Sequence, residues 1–437
     1  MSGHVNVIGA GLAGCEAAWQ IATRGIKVNL YEMKPLVFSP AHHLNSFAEL
    51  VCSNSLRSDR LENAVGLLKE EMRRLNSIIM KCADATRIPA GGALAVDREK
   101  FSRMVTELIS GRENITVIRK EVAEITDDGI TIVATGPLTS DSLFEHIRRN
   151  ISGEYLYFFD AAAPIITYDS INMEKAFKAS RYGKGGEDYI NCPMNKEQYE
   201  QFWDELVKAP LADVKDFDRE VLFEGCMPVE SIAKRGKDTL RFGPLKPVGL
   251  IDPATGKEPY AVVQLRQDNG EKTLYNIVGF QTRLKWDEQR RVFRLIPGLE
   301  KAEFVRFGVM HRNTFINSPQ LLEPTYRVRN KPGLFFAGQI TGVEGYMEST
   351  SSGMVAGINA AMCILGRKEV CFPPNTAIGA LSNYISNPHV KNFQPMNINF
   401  GLMENPGIKI KDKRKKNYEI ARLALETIGR IAEEINV

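Results

Sequence analysis

Apolar and polar positions follow two periods along this chain, and the changes between them outline its elements. A short apolar stretch ending at Ile8 reads as a strand buried in a parallel sheet. After three glycines, CEAAWQIATRG carries apolar residues at helical spacing as far as Gly25, and KVNLYE reads as a second strand ending on Glu32. Further on, SDRLENAVGLLKEEMRRLNSIIM (58–80) sets Leu61, Val65, Leu68, Met72, Leu75 and Ile79 on one face, which predicts an amphipathic helix opened by Asp59 with Glu62 three residues later. ITIVATGPL (130–138) predicts a strand ending in Ala-Thr-Gly. NKEQYEQFWDELVKAP (195–210) predicts another helix, and residues 259–284 predict two strands joined by a turn at Asn269-Gly270. Near the end, GLFFAGQITGVEGYMESTSSGMVAGINAAMCILG (333–366) predicts a strand, a glycine-rich loop and a helix from about Ser352. Ile420, Ala424, Ile428, Ile431 and Ile435 line one face of a last helix. These apolar faces are core; they carry no chemistry.

Strands alternating with helices at both ends predict an α/β fold of Rossmann-like, glutathione-reductase type. The middle lacks that alternation and shows no internal repeat. It predicts an α+β insertion domain over 166–324, interrupting a discontinuous dinucleotide domain made of 1–165 and 325–437. A length of 437 residues suits two or three domains. With 43% apolar and 25% charged residues, the chain reads as globular, and no apolar run approaches a membrane span. The N-terminus enters a strand without a basic leader, so a cytoplasmic location is expected. Seven scattered cysteines, none in C-x-x-C spacing, argue against disulfides and against a metal site. Net charge is only 56 − 53 = +3, but 282–294 and 409–417 are dense in Lys and Arg, the footprint of phosphate binding or of plain solvated surface.

The first fifty residues carry the clearest chemistry. Gly9, Gly11 and Gly14 have G-x-G-x-x-G spacing between strand and helix, and Glu32 closes the second strand. Here the first glycine makes the turn, the second admits a pyrophosphate, and the third lets helix meet strand; the acid accepts from ribose hydroxyls. Gly9, Ala10, Gly11, Leu12, Ala13, Gly14 and Glu32 are therefore candidate cofactor contacts. The 333–366 segment resembles the last motif of two-dinucleotide-fold flavoproteins, which adds Gly338, Gln339, Gly342, Gly345 and Gly353 and favours FAD over NAD. Gln339 stands where many such enzymes carry an aspartate.

With HHLNSFAELVCSNSLRSD (42–59), RIPAGGALAVDREKFS (87–102), FEGCMPVE and GYMESTSSGM in the same order, the chain resembles, end to end, the folate- and FAD-dependent tRNA (uracil-5-)-methyltransferases of the TrmFO type. That family is related to the larger MnmG/GidA flavoproteins, whose long extra C-terminal region has no room here. The resemblance implies methylenetetrahydrofolate as one-carbon donor, reduced FAD as relay and hydride source, and NADH or NADPH as reductant. The implied substrate is a T-loop uridine of tRNA, converted to ribothymidine. A paralogous activity on a uridine of 23S ribosomal RNA, a flavin oxidoreductase of a small molecule, and a non-catalytic flavin-bearing RNA-binding protein stay open.

Carbon 5 of uracil needs a thiolate on carbon 6 before it can attack an electrophile. The resemblance gives that role to Cys226, which from spacing alone reads equally as a buried filler. It puts Cys52 beside the flavin, either taking the carbon 5 proton or holding the methylene; Cys15, Cys82, Cys192, Cys363 and Cys371 read as structural. It also implies that His311 stacks the folate pterin, with Tyr346 and Trp286 lining that pocket. Arg283, Lys285, Lys409, Arg414 and Lys415 are candidate RNA contacts.

Overall fold

A computed structural model describes residues 3–126, 129–152, 155–183, 186–212, 227–390, 393–404 and 407–435. Its centre is a six-stranded sheet in the order Arg327–Val328, Lys331–Phe336, Ile130–Val133, His4–Ile8, Lys27–Glu32, Ile115–Arg119. Only the first pair is antiparallel; Val5 stands opposite both Val28 and Ile130, and Phe335 opposite Ile132. Parallel strands need crossovers that cover their faces, which is why Val5, Val7, Ile132 and Phe335 are fully buried. The carboxyl ends of four strands (Ile8, Glu32, Val133, Phe336) come together at one edge, the usual place for a ligand in such a sheet.

Two helices close the sheet by unusually intimate contact. The opening helix, Leu12–Ala22, is buried along its whole length against Tyr346–Ile364. Gly353 and Gly357 make this possible: a Cβ at Gly353 would lie 2.2 Å from the Ala13 carbonyl oxygen, and one at Gly357 2.7 Å from that of Ala17. The second helix starts at Tyr346, six residues before the sequence suggests. Its Ser/Thr-rich first turns bond back along the helix, Thr350 Oγ1 to the Tyr346 carbonyl at 2.8 Å and Ser352 Oγ to that of Ser349 at 2.7 Å. Buried helical hydroxyls satisfied this way look like loop residues in a sequence.

The amphipathic stretch 58–80 is likewise two elements, Ala64–Arg74 and Ile78–Ala85. Asn76 at φ 58 breaks it, and Ser77 caps the second helix by accepting from the Met80 N–H at 3.1 Å. Asn63, not Asp59, sits at the first helix's N-terminus; Asp59 instead pairs with Arg73 at 3.0 Å and with Arg87. The C-terminal helix begins inside the basic run, at Lys413, and buries Ile420, Ala424, Ile428, Ile431 and Ile435 as its period requires.

A second, antiparallel sheet runs Phe177–Lys178, Tyr189–Met194, Ala261–Gln267, Leu274–Ile277, Ile165–Thr167, Phe304–Arg306. One face (Ile190, Cys192, Val263, Leu265, Ile277) packs on Tyr199, Phe202 and Leu206 of helix Lys196–Lys208. Burying one such side chain contributes about 1.5–3 kcal/mol, and a reciprocal Asn195/Gln198 capping box fixes where that helix starts. The opposite face is polar, carrying Tyr189, Asn191, Gln264 and Arg266, and it is turned toward the segment around Cys52. This second core draws on residues Ile166 to Phe304, whereas Phe315, Ile316 and Leu322 pack in the first. A two-stranded antiparallel ribbon, Tyr155–Ala161 with Met310–Ile316, joins the two. Among the described residues no helix is long and apolar enough to cross a membrane.

Candidate active site

The glycine-rich turn, the end of the second strand, residues 134–143 and Gly338-Gln339 enclose a cleft of about 1130 Å³. Gly9 takes φ 99, and a Cβ there would meet the Ala134 carbonyl at 2.7 Å; a Cβ at Gly14 would overlap the Gly9 oxygen. Gly11 differs, with nothing within 4 Å of the place a Cβ would occupy. It stands at the N-terminus of the opening helix with no side-chain cap, so the first-turn N–H groups are left for a ligand. Glu32 Oε2 accepts from Ala10 N–H and Oε1 from Lys34 N–H, each at 2.9 Å, which locks the turn to the second strand while the carboxylate still lines the cleft. The turn, open helix end and acid fit a dinucleotide such as FAD. Lys34, His42 and Glu49 also line the cleft, and nothing in the sequence pattern marked them.

A second cleft, of about 1220 Å³, adjoins the first through Val51, Pro137, Leu138, Gln339 and Tyr346, which line both. Cys52 lies in it at the junction. Tyr346 Oη accepts from the Cys52 and Ser53 N–H groups at 2.8 and 3.2 Å, so the thiol's backbone is pinned to the first residue of the helix Tyr346–Ile364. Burial, then the neighbouring Cys52, push the Tyr346 phenol well above its usual range and keep it neutral. The Cys52 sulfur points at the Ala161 carbonyl at 3.8 Å.

Buried cations surround this loop. Arg266 donates to Asn54 Oδ1 at 3.0 Å and to Ser53 Oγ at 2.7 Å, and lines the cleft. Arg98 pairs with Asp268 at 2.9 Å and donates to the Leu50 carbonyl. Burial lowers the pKa of Arg266; burial is also the largest single influence on Arg98 and opposes its charge, but Asp268 together with Tyr346 and Cys52 turns the net shift upward. Both guanidinium groups feel the charge of Cys52, so a thiolate at that position would be attracted by two cations. Arg57, held at φ 63, reaches the fully buried Glu348 in the helix's first turn, where a carboxylate also meets the positive helix end. Arg57 and Arg98 lie inside sequence stretches that carried the family resemblance, but no periodicity marks a cation that works by facing a loop.

A family model described as glucose inhibited division protein A matches residues 4–368. A methylenetetrahydrofolate--tRNA-(uracil-5-)-methyltransferase TrmFO of Acetivibrio thermocellus is 74% identical over 428 residues, covering 98% of each chain. The chain belongs to the TrmFO family. Other TrmFO proteins, from Pelotomaculum thermopropionicum and Bacillus subtilis, are 62% and 59% identical over 99% of both chains. The TrmFO-family fold extends to Aquifex aeolicus GidA, at a TM-score of 0.72 and 17% identity over 99% of this chain and 73% of that one.

Against the TrmFO resemblance, the structure brings some expected residues together and leaves others apart. Gly9, Ala10, Gly11, Leu12, Ala13, Glu32, Gly338 and Gln339 line the first cleft, and Gly345 and Tyr346 the second. Gly14 and Gly353 are packing glycines, and Gly342 makes room for the Phe393 ring, 2.4 Å from where its Cβ would be. Trp286 lines neither cleft; it is 58% exposed and stacks on Phe307 with centroids 5.4 Å apart. His311 lies on the ribbon opposite Asp160. Cys226 falls outside the described residues. The Val229 N–H donates at 2.7 Å to the carbonyl of Gln281, a lining residue of the second cleft. Ala212 N–H donates to the Arg283 carbonyl at 2.8 Å and Lys285 N–H to that of Pro210 at 3.2 Å, so Arg283 and Lys285 lie beside the segment 210–212. Lys409, Arg414 and Lys415 are exposed around the start of the C-terminal helix, with Arg414 bound to Glu62 at 2.6 Å. Cys15, Cys82 and Cys192 are buried, whereas Cys371 is exposed rather than packed.

Proposed function

We propose that this chain methylates carbon 5 of a tRNA uridine, the T-loop uridine, using methylenetetrahydrofolate, with FAD in the first cleft and base and folate meeting in the second. The observation that carries this reading is the place of Cys52. Its backbone is clamped by Tyr346 at the junction of the two clefts, and the segment that carries it is held by Arg98 through the Leu50 carbonyl and by Arg266 through Ser53 and Asn54.

Gly9 to Ala13 and Glu32 would hold the FAD pyrophosphate and ribose, and Gly338 and Gln339, which line the same cleft, would contribute to holding the rest of it. Bound there, the flavin supplies the electrons and the relay for the one-carbon unit. Cys226 adds as thiolate to carbon 6 of the uracil, moving the ring electron pair toward carbon 5, which then bonds to the one-carbon unit. Carbon 5 then loses its proton as the bond from the one-carbon unit to its carrier breaks, and a hydride, which reduced flavin would supply, completes the methyl group while the thiolate leaves and the ring regains its 5,6 double bond. Cys52 either takes that proton or holds the methylene. Cys226 is given this role by the TrmFO resemblance. His311, two strand positions before the cleft-lining Asn313, remains the residue proposed for the pterin, with Tyr346 beside it. Trp286, on its exposed stack, would meet only the outer part of the folate. NADH or NADPH restores the reduced flavin, and Arg283, Lys285, Lys409, Arg414 and Lys415 contribute to RNA binding. The two separate cores support an insertion that begins near 166, but it ends near 304 rather than 324, because Phe315, Ile316 and Leu322 pack in the core of the dinucleotide domain.

The test supplies methylenetetrahydrofolate, NADPH and unmodified tRNA and measures 5-methyluridine. Cys226→Ala should abolish product while bound FAD stays at its wild-type level. Product on 23S ribosomal RNA fragments but not on tRNA would move the substrate to the ribosome. No product on either would end the methyltransferase reading.

A further inference from the structure

A third cavity, of about 820 Å³, opens where the Arg60–Asn63 turn and Ala90–Ala93 meet Ser180–Tyr182 and Gln264 of the antiparallel sheet. No Asp or Glu lines it, yet two guanidinium groups do. Arg181 spends Nε on Gln264 Oε1 at 2.9 Å and Nη1 on the Val248 carbonyl at 3.0 Å, neither of which neutralises it. Arg60 lies against Gly92, whose Cβ, if present, would come within 2.9 Å of its Nε. Its guanidinium has no carboxylate partner among the described residues, because Glu62, which feels its charge, is bound to Arg414. Ser180 Oγ is buried and makes no hydrogen bond among the described residues. Glu258 and Glu62 act on these two cations only at longer range, and Asp188 beside the cavity accepts from the Gly91 N–H at 2.7 Å. Two guanidinium groups with no direct carboxylate contact among the described residues, beside an unsatisfied buried hydroxyl, describe an oxyanion site.

The surroundings say which oxyanion. Gln264 and Arg266 share one face of the strand Ala261–Gln267, roughly 7 Å apart by strand geometry. Gln264 lines this cavity and Arg266 the cleft that holds Cys52. The two openings are therefore close neighbours in the fold. At the rim, Tyr182 is 57% exposed and held at φ 58. Beside it the segment 242–251 exposes Phe242, Val248 and Ile251 together with Lys246, a basic and aromatic mixture suited to nucleic acid.

We propose that this cavity binds a backbone phosphate of the RNA strand flanking the nucleotide in the catalytic cleft. Arg60 and Arg181 are its cations, and Ser180 is a hydroxyl donor. This rests on the reading that RNA is the substrate.

The experiment measures binding of unmodified tRNA to the flavin-loaded protein across a salt series. Arg60→Gln should weaken binding about tenfold and reduce the slope of log K against log salt by about one. Arg60→Lys should keep the slope, and both variants should retain wild-type flavin content and wild-type reduction of the flavin by NADPH. An unchanged affinity and slope in Arg60→Gln, with methylation intact, overturns the proposal alone. A raised KM for NADPH with RNA binding unaltered also overturns it, because the cavity then serves the reductant's phosphate. If the wild-type protein neither binds nor methylates RNA, the substrate reading itself has failed, whatever the variant does.

Discussion

Replacing Tyr346 by Phe removes one oxygen and tests the clamp on Cys52 directly. That oxygen accepts from two backbone N–H groups, of Cys52 at 2.8 Å and of Ser53 at 3.2 Å, in a part-buried setting. A buried donor left without a partner costs about 1–3 kcal/mol. The longer bond is the weaker, and an open cleft lets water reach one of the two groups. The net penalty on the ordered loop is therefore about 1.5–3 kcal/mol, or roughly 10- to 150-fold in the share of molecules holding Cys52 in place. The ring itself stays, so the helix start and cleft wall keep their shape. Steady-state formation of 5-methyluridine should fall by that factor. Flavin content and NADPH-driven flavin reduction should change by less than about twofold, since neither needs the loop. Turnover within threefold of wild type would refute the clamp and leave Tyr346 as a wall of the cleft. A matching loss of flavin would mean that the phenol supports the cofactor instead.

Three further outcomes follow from packing and charge. Gly353→Ala would drive a methyl into the Ala13 carbonyl, so it should cost about 3 kcal/mol or more, visible as a lower Tm and poor flavin retention. Asp268→Asn strands the buried Arg98 and should destabilise by about 3–5 kcal/mol in denaturant unfolding, with Arg98→Met less harmful in the Asp268→Asn background than alone. Burial pushes Glu71 up to about 8 although it accepts from Ala377 and Ile378 N–H groups at 2.8 and 2.9 Å. The folded chain then binds a proton that the unfolded chain has released between about pH 4.5 and 8. Stability from this group is thus present below that window and lost as pH rises through it, and Glu71→Gln should flatten the decline seen in pH-dependent unfolding.

The parallel sheet and its glycine turn were legible because each strand is short, apolar and followed by residues with a single geometric purpose. Gly11 and Glu32 could be placed at the turn from spacing because that turn is local: Gly11 opens the helix and Glu32 accepts from the Ala10 N–H. Gly353 could not: a glycine that admits a ligand and one that admits a neighbouring helix look alike until the partner backbone is seen. The stretch 58–80 deceived in another way, because Asn76 turns the chain without disturbing the apolar period. Arg98, Arg266 and Arg57 escaped notice for a third reason. Their role is to surround a loop contributed by distant residues, and such a relation has no spacing along the chain.

The ribbon of Tyr155–Ala161 and Met310–Ile316 runs antiparallel, so the ends of the long excursion between them emerge side by side. Material can be added to or trimmed from 162–309 without shifting the register of any parallel strand. Descendants of one flavin scaffold could in this way exchange what they grip while the redox cradle is inherited whole. Ala161 and Asn313, one on each rail of the ribbon, face the thiol-bearing cleft, so any such exchange is felt at the chemistry without a separate linkage.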